Sequence, residues 1–179
     1  SVRIGTDAGD GAGGDYDVMI GYQAGKDSDG DHNISLGYQA GYSMSATSDY
    51  NLCLGRNAGR SADGDFNVFL GTHAGYDSDG TRNIYIGYQA GFEADPGSNN
   101  IEIITNSVYA TKSSLDGLSN KINIENTIMG DTAANKIVIG SGTTAQTANY
   151  SPSATLEIKP KLITDTALSI QSSGVSDVV

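Results

Sequence analysis

Six glycines, Gly5, Gly21, Gly37, Gly55, Gly71 and Gly87, follow one another at intervals of 16, 16, 18, 16 and 16 residues. A second series trails each of them by four: Gly9, Gly25, Gly41, Gly59, Gly75 and Gly91. This period constrains the fold more than any other property of the chain. A repeat so short cannot enclose a core alone, so it must stack on its neighbours. Helix-pair repeats need more than about 30 residues per unit, and no apolar period of about 3.6 is present. The spacing predicts an all-β chain, a parallel β-roll or β-solenoid of about 16-residue coils, with successive strands about 4.8 Å apart.

Each copy reads Asn, apolar, variable, apolar, Gly, then two residues and Ala-Gly, as in NISLGYQAG at 33–41 and NIYIGYQAG at 83–91. Side chains two apart on a strand share a face. The pairs Ile34/Leu36, Leu52/Leu54, Val68/Leu70 and Ile84/Ile86 are therefore expected to point together, toward a thin core shared with Ala24, Ala40, Ala58, Ala74 and Ala90. The residue between each pair is then expected to face outward: Met19, Ser35, Cys53, Phe69 and Tyr85. That column is apolar for a solvent face. Met19, Cys53, Phe69 and Tyr85 are accordingly expected to form the interface of a homo-oligomer, a trimer in this reading. The column Asn33, Asn51, Asn67, Asn83 and Asn100, with Asp17 substituting, fits a stacked ladder that binds turn backbone.

The repeated unit is expected to end near residue 98. Nineteen of 24 glycines and eight of ten tyrosines fall in the first 100 residues. Residues 99–145 keep alternating apolar positions such as Ile122, Ile124, Ile137 and Ile139, and read as β-structure of altered register. Residues 146–179 read as a linker (TAQTANYSPSA, beginning at 144) followed by stalk-like strands at Leu156/Ile158 and Leu168/Ile170.

The formal charge is −11, and in the first 100 residues five cations face fourteen anions. Such a surface repels phosphate backbones, which argues against nucleic acid as a partner. One cysteine, Cys53, cannot make an intrachain disulfide. No apolar run approaches the roughly 18 residues of a membrane-spanning helix, so membrane insertion is not expected. The chain begins at Ser1 and reads as a fragment or processed product.

Polar candidates for chemistry are few. The acidic turns KDSDGD, SADGD and YDSDGT place Asp27, Asp29 and Asp31, then Asp63 and Asp65, then Asp77 and Asp79, at equivalent points of three coils. Carboxylates two apart can converge on a hard cation such as calcium. Asp and Gly are also what tight turns require. The expectation is no cofactor, with calcium as the alternative. His32 and His73 occupy different coil positions and Cys53 lacks a repeated partner, so neither suggests a metal site or a nucleophile. No enzymatic activity is expected, although a polysaccharide depolymerase remains the third reading. Tyr22, Tyr38 and Tyr88 follow the motif glycine, and Tyr42 and Tyr76 follow the second glycine. They are candidate glycan or receptor contacts, or else rings that stack on one another.

The N-x-x-x-G coils resemble the β-roll heads of bacterial trimeric autotransporter adhesins. The stretch SNKINIENTIMGDTAANKIVIG, with SPSATLEIK after it, resembles the part of phage and viral tail fibres that precedes a self-cleaving C-terminal chaperone. Together these resemblances cover roughly residues 1–160. They imply a homotrimeric, extracellular virion fibre that attaches to a host-surface glycan or protein. A bacterial surface adhesin or filament subunit is the alternative.

Overall fold

The computed structural model describes residues 1–94, 97–104 and 117–124 in full, and the backbone of three later strands. Eleven short strands join in chain order into one sheet. They are β1 (Val2–Ile4), β2 (Val18–Ile20), β3 (Ile34–Leu36), β4 (Leu52–Leu54), β5 (Val68–Leu70), β6 (Ile84–Ile86), β7 (Ile101–Ile103), β8 (Lys121–Ile124), β9 (Ile128–Asp131), β10 (Lys136–Ile139) and β11 (Leu156–Ile158). From β1 to β8 every pairing is parallel and in register, coil on coil: Val18 lies beside Ile34, Leu52 beside Val68, Ile101 beside Ile122. The chain is thus a β-solenoid, and the described residues contain no helix. After β8 the direction alternates: β8–β9 and β9–β10 are antiparallel, and β10–β11 is parallel. The expected linker at 144–154 and the Leu168/Ile170 strand lie outside the described residues.

The two faces of the coil strands are the reverse of the expectation. Met19, Cys53, Phe69 and Tyr85 do not face outward; together with Ser35 they are buried inside the coil with the alanine column. The aliphatic pairs face out instead, with Ile34, Leu70 and Ile84 exposed and Val18, Leu36, Leu52, Leu54, Val68 and Ile86 half-buried. The asparagines explain the reversal. Asn33, Asn51, Asn67, Asn83 and Asn100 are buried, and each lies two residues before the central strand residue. Alternation along an extended chain puts those two on one side and the aliphatic pair on the other.

Inside, the amides form the expected ladder. The Asn51 backbone N–H donates to Asn33 Oδ1 at 2.8 Å, Asn67 N–H to Asn51 Oδ1 at 2.8 Å, and Asn83 N–H to Asn67 Oδ1 at 2.8 Å. Each side-chain NH2 in turn donates to a turn carbonyl of the following coil, as from Asn51 to Gly64 at 3.0 Å and from Asn67 to Gly80 at 2.9 Å. One side chain so satisfies a donor and an acceptor of the buried turn, whose neglect costs about 1–3 kcal/mol apiece.

The rest of the interior is filled by complementary volumes. Coils with a large central side chain, Phe69 or Tyr85, carry small buried residues further round, Ser78 or Ala94. The coil with the small Ser35 carries Met44 there, which also reaches Cys53 with its sulfur at 3.9 Å. Glycine is required where these side chains meet the turn. A Cβ on Gly75 would overlap the Phe69 ring, and its φ of +61° is left-handed.

Three columns of non-glycine residues also adopt left-handed backbone: Gln23, Gln39, Asn57, His73 and Gln89; Asp27, Ser43, Ser61, Asp77 and Glu93; Tyr16, His32, Tyr50 and Phe66. Isolated residues rarely accept this conformation. Here neighbouring coils hold it through backbone bonds such as Gln39 N–H to Tyr22 O at 2.8 Å and Asn57 N–H to Tyr38 O at 2.8 Å.

Candidate functional site

The turn after each coil strand carries its variable side chains outward. Three columns meet there. The first is Tyr22, Tyr38, Arg56, Thr72 and Tyr88; the second is Gln23, Gln39, Asn57, His73 and Gln89; the third is Lys26, Tyr42, Arg60, Tyr76 and Phe92. The His73 ring fixes their adjacency, since it lies 5.7 Å from Tyr76, 6.3 Å from Tyr88 and 6.4 Å from Phe92, edge-on to each. The five candidate contact tyrosines thus belong to one face.

Their rings are largely engaged with each other. Tyr22 stacks on Tyr38 at 5.2 Å, and Tyr76 on Phe92 at 5.3 Å. The Arg56 guanidinium lies over Tyr38 at 5.8 Å, and Arg60 lies between Tyr42 at 5.2 Å and Tyr76 at 5.5 Å. Stacking leaves ring edges and phenol groups, not ring faces, turned to solvent through the middle of the ladder. A second ladder, Tyr16–His32–Tyr50–Phe66, runs along the turn that precedes the strands, with centroids 4.7–5.0 Å apart.

The cations of this face fall outside the expected contacts. Arg56 and Arg60 replace the tyrosines of neighbouring coils. Among the described residues neither makes an ion pair, whereas Lys26 pairs with Asp10 at 2.6 Å. Between them Asn57 Nδ2 donates to His73 Nε2 at 3.0 Å, which leaves the neutral His73 proton on Nδ1. Burial, and then the charges of Arg56 and Arg60, push the His73 pKa below its ordinary value. Three buried polar atoms here find no partner among the described residues: Asn57 Oδ1, Arg60 Nε and His73 Nδ1. The signal available in the sequence was two arginines within GRNAGR, in a stretch where anions outnumber cations almost threefold.

The acidic turns are organised around backbone. Asp29 Oδ1 accepts the Gly13 N–H at 2.8 Å, Asp31 Oδ1 the Asp15 N–H at 2.7 Å, and Asp65 Oδ1 the Asp49 N–H at 2.9 Å. Asp27 and Asp77 occupy left-handed turn positions, and Asp63 pairs as an isolated parallel bridge with Asp79. Among the described residues no three His, Cys, Asp or Glu side chains converge as a metal-ligand group. Cys53 is fully enclosed, and burial pushes its thiol up to about 12.

A scan against protein-family models gave no match, and searches of curated proteins and of solved structures gave none either.

Proposed function

We propose that this chain is a structural and attachment segment of a homotrimeric viral or phage tail fibre, which holds on to a host surface through many weak contacts. The observation that carries the reading is the outward face of the coil sheet. From β1 to β8 its two aliphatic columns are Val2, Val18, Ile34, Leu52, Val68, Ile84, Ile101 and Ile122, and Ile4, Ile20, Leu36, Leu54, Leu70, Ile86, Ile103 and Ile124. None of these sixteen residues is charged, on a chain of net charge −11. The aromatic ladder of Tyr16, His32, Tyr50 and Phe66 precedes the columns, and Tyr22, Tyr38 and Tyr88 follow them. Taking about 4.8 Å per strand and 3.3 Å per residue, this strip measures about 34 by 20 Å. That is close to the roughly 800 Å² per partner of a stable protein interface, with Arg56 and Arg82 in its flanking columns.

Three copies turning this face to one axis bury all three strips in a shared core. The turn face is then left outside, with its Tyr22, Tyr38, Arg56 and Tyr88 column at the rim of the buried strip, and repetition along the rod and threefold symmetry multiply weak contacts there. The resemblance of the coils and of the segment after them to fibre proteins supports the same reading. Immunogold labelling with antibodies against residues 1–98 tests it in the source particle or cell. Label along a tail fibre supports the proposal, and label on a bacterial envelope favours the adhesin alternative. Release of reducing sugar from host capsule by the purified chain would contradict a purely attaching role.

A further inference from the structure

Arg56 and Arg60 stand together on the turn face, and among the described residues neither forms an ion pair with a carboxylate. Of the five cations in residues 1–100 only Lys26 does so, with Asp10. The Arg56 and Arg60 guanidinium groups lie over phenol rings, as Arg82 lies over the Phe66 ring. A guanidinium held face-on to aromatic rings keeps its in-plane N–H groups for an external acceptor, and its fork matches a carboxylate. Arg60 spends one of these on the Tyr76 phenol, with Nη1 3.1 Å from the oxygen, and Arg56 spends none among the described residues.

The neutral groups between the two arginines narrow the chemistry. Asn57 Oδ1 is an acceptor and His73 Nδ1–H a donor, both are buried, and both lack partners among the described residues. Leaving such groups unsatisfied is costly, and a hydroxyl or water admitted beside them would satisfy both. A hydroxyl donates and accepts at once and suits this pair. The Tyr38 and Tyr42 rings beneath the arginines and the Gln39 amide in the preceding coil extend the same polar surface. A carboxylate beside several hydroxyls describes an acidic sugar better than an acidic peptide, whose carboxylates sit among amides.

We propose that the face built by Arg56, Arg60, Asn57 and His73 binds a carboxylate-bearing saccharide, with the arginines on the carboxylate and the Asn57–His73 pair on a hydroxyl. The site rests on the attachment reading above and names the ligand class for it. Thr72, small where the next coil carries Tyr88, leaves the coil next to Arg56 without a ring at this column.

The test is a calorimetric titration of the full chain. The probes are oligosaccharides of galacturonate, glucuronate and sialic acid, a methyl-esterified galacturonate oligomer, and inorganic phosphate. Acidic sugars should bind, with affinity falling as salt is raised. The methyl ester and phosphate should each bind at least tenfold more weakly. Arg56→Gln, at an exposed side chain, should lower affinity about tenfold, as should Arg60→Gln, with unchanged circular dichroism in both. The proposal is overturned if no acidic sugar binds, if the ester or phosphate binds as well as the acid, or if both variants bind like the parent. Sedimentation of the same samples separates this outcome from that of the fibre reading. Sugar binding by a monomer supports the site and contradicts the trimer, whereas a trimer that ignores acidic sugars does the opposite.

Discussion

The Oδ1 of Asp17 accepts the backbone N–H of Asn33 at 2.7 Å, while its Oδ2, also buried, has no partner among the described residues. In the other coils an asparagine NH2 takes that second place and donates to a turn carbonyl, as Asn67 does to Gly80. A Cβ built on Gly14 would meet both Asp17 Oδ2 and the Gly30 carbonyl, just as one on Gly80 would meet Asn83 Nδ2 and the Gly97 carbonyl. An ionised Asp17 therefore sets a carboxylate oxygen toward a carbonyl oxygen, and only the protonated acid can donate there.

Burial raises the Asp17 pKa above its ordinary 3.8. A carboxyl with a raised folded-state pKa contributes stability that is complete below the unfolded pKa. That stability is lost as pH climbs through the folded value. Asp17→Asn should remove the loss and strengthen the first two coils by about 1–2 kcal/mol at pH 7, with the gain shrinking as pH approaches 3.8. Protection of the Val18 and Asn33 amides against hydrogen exchange reports it locally, which suits a solenoid whose coils open in turn. A gain that does not vary with pH would rule out the protonation account.

Asn67 binds the following coil twice, receiving the Asn83 N–H and donating to Gly80 O. Asn67→Leu should strand both groups and cost about 2–4 kcal/mol, read by denaturant unfolding. A loss below 1 kcal/mol would show that the ladder is ornamental to stability.

Gly75 and Gly117 separate strain from crowding. Both have φ near +60°, but a Cβ at Gly75 overlaps Phe69 whereas no atom of the described residues lies within 4 Å of one at Gly117. Gly117→Ala should cost about 1 kcal/mol, the backbone term alone. Gly75→Ala should cost at least twice that, and equal losses in thermal melts would remove the packing explanation.

His73 has a depressed pKa, so its contribution is present above the unfolded value of about 6.5 and is lost as pH falls through the folded one. Gln39 and Gln89 occupy the same column with the same left-handed backbone. His73→Gln should therefore flatten the acid side of the stability profile between about pH 7 and 5 while leaving the neutral value close to the parent. A profile that keeps its acid slope would place the titration elsewhere.

The coil length, the parallel stacking and the asparagine ladder were legible in the sequence because each depends only on a residue recurring at a fixed interval. The inside and outside of the strand were read the wrong way round because hydrophobicity was weighed before parity. Asn33 and Ser35 are two apart, so a ladder that must lie inside to reach turn backbone takes Ser35, Cys53 and Phe69 inside with it. A serine fits the core column because Met44, nine residues on, fills the space it leaves. The left-handed columns had no sequence mark, since Gln39, His73 and Tyr50 are ordinary residues whose conformation is imposed by stacking. The tyrosine columns were visible as repeats. The arginine pair between them was visible only as an interruption, and its lack of acidic partners is a property of three-dimensional placement.

The outward aliphatic face makes the claim on which the fibre reading depends, and sedimentation velocity of the purified chain tests it directly. At tens of micromolar the chain should sediment at three times its 18.5 kDa mass, and Leu54→Lys combined with Leu70→Lys should reduce it to a folded monomer. A parent chain that stays at 18.5 kDa across that range, its aliphatic columns open to water, would contradict the assembly.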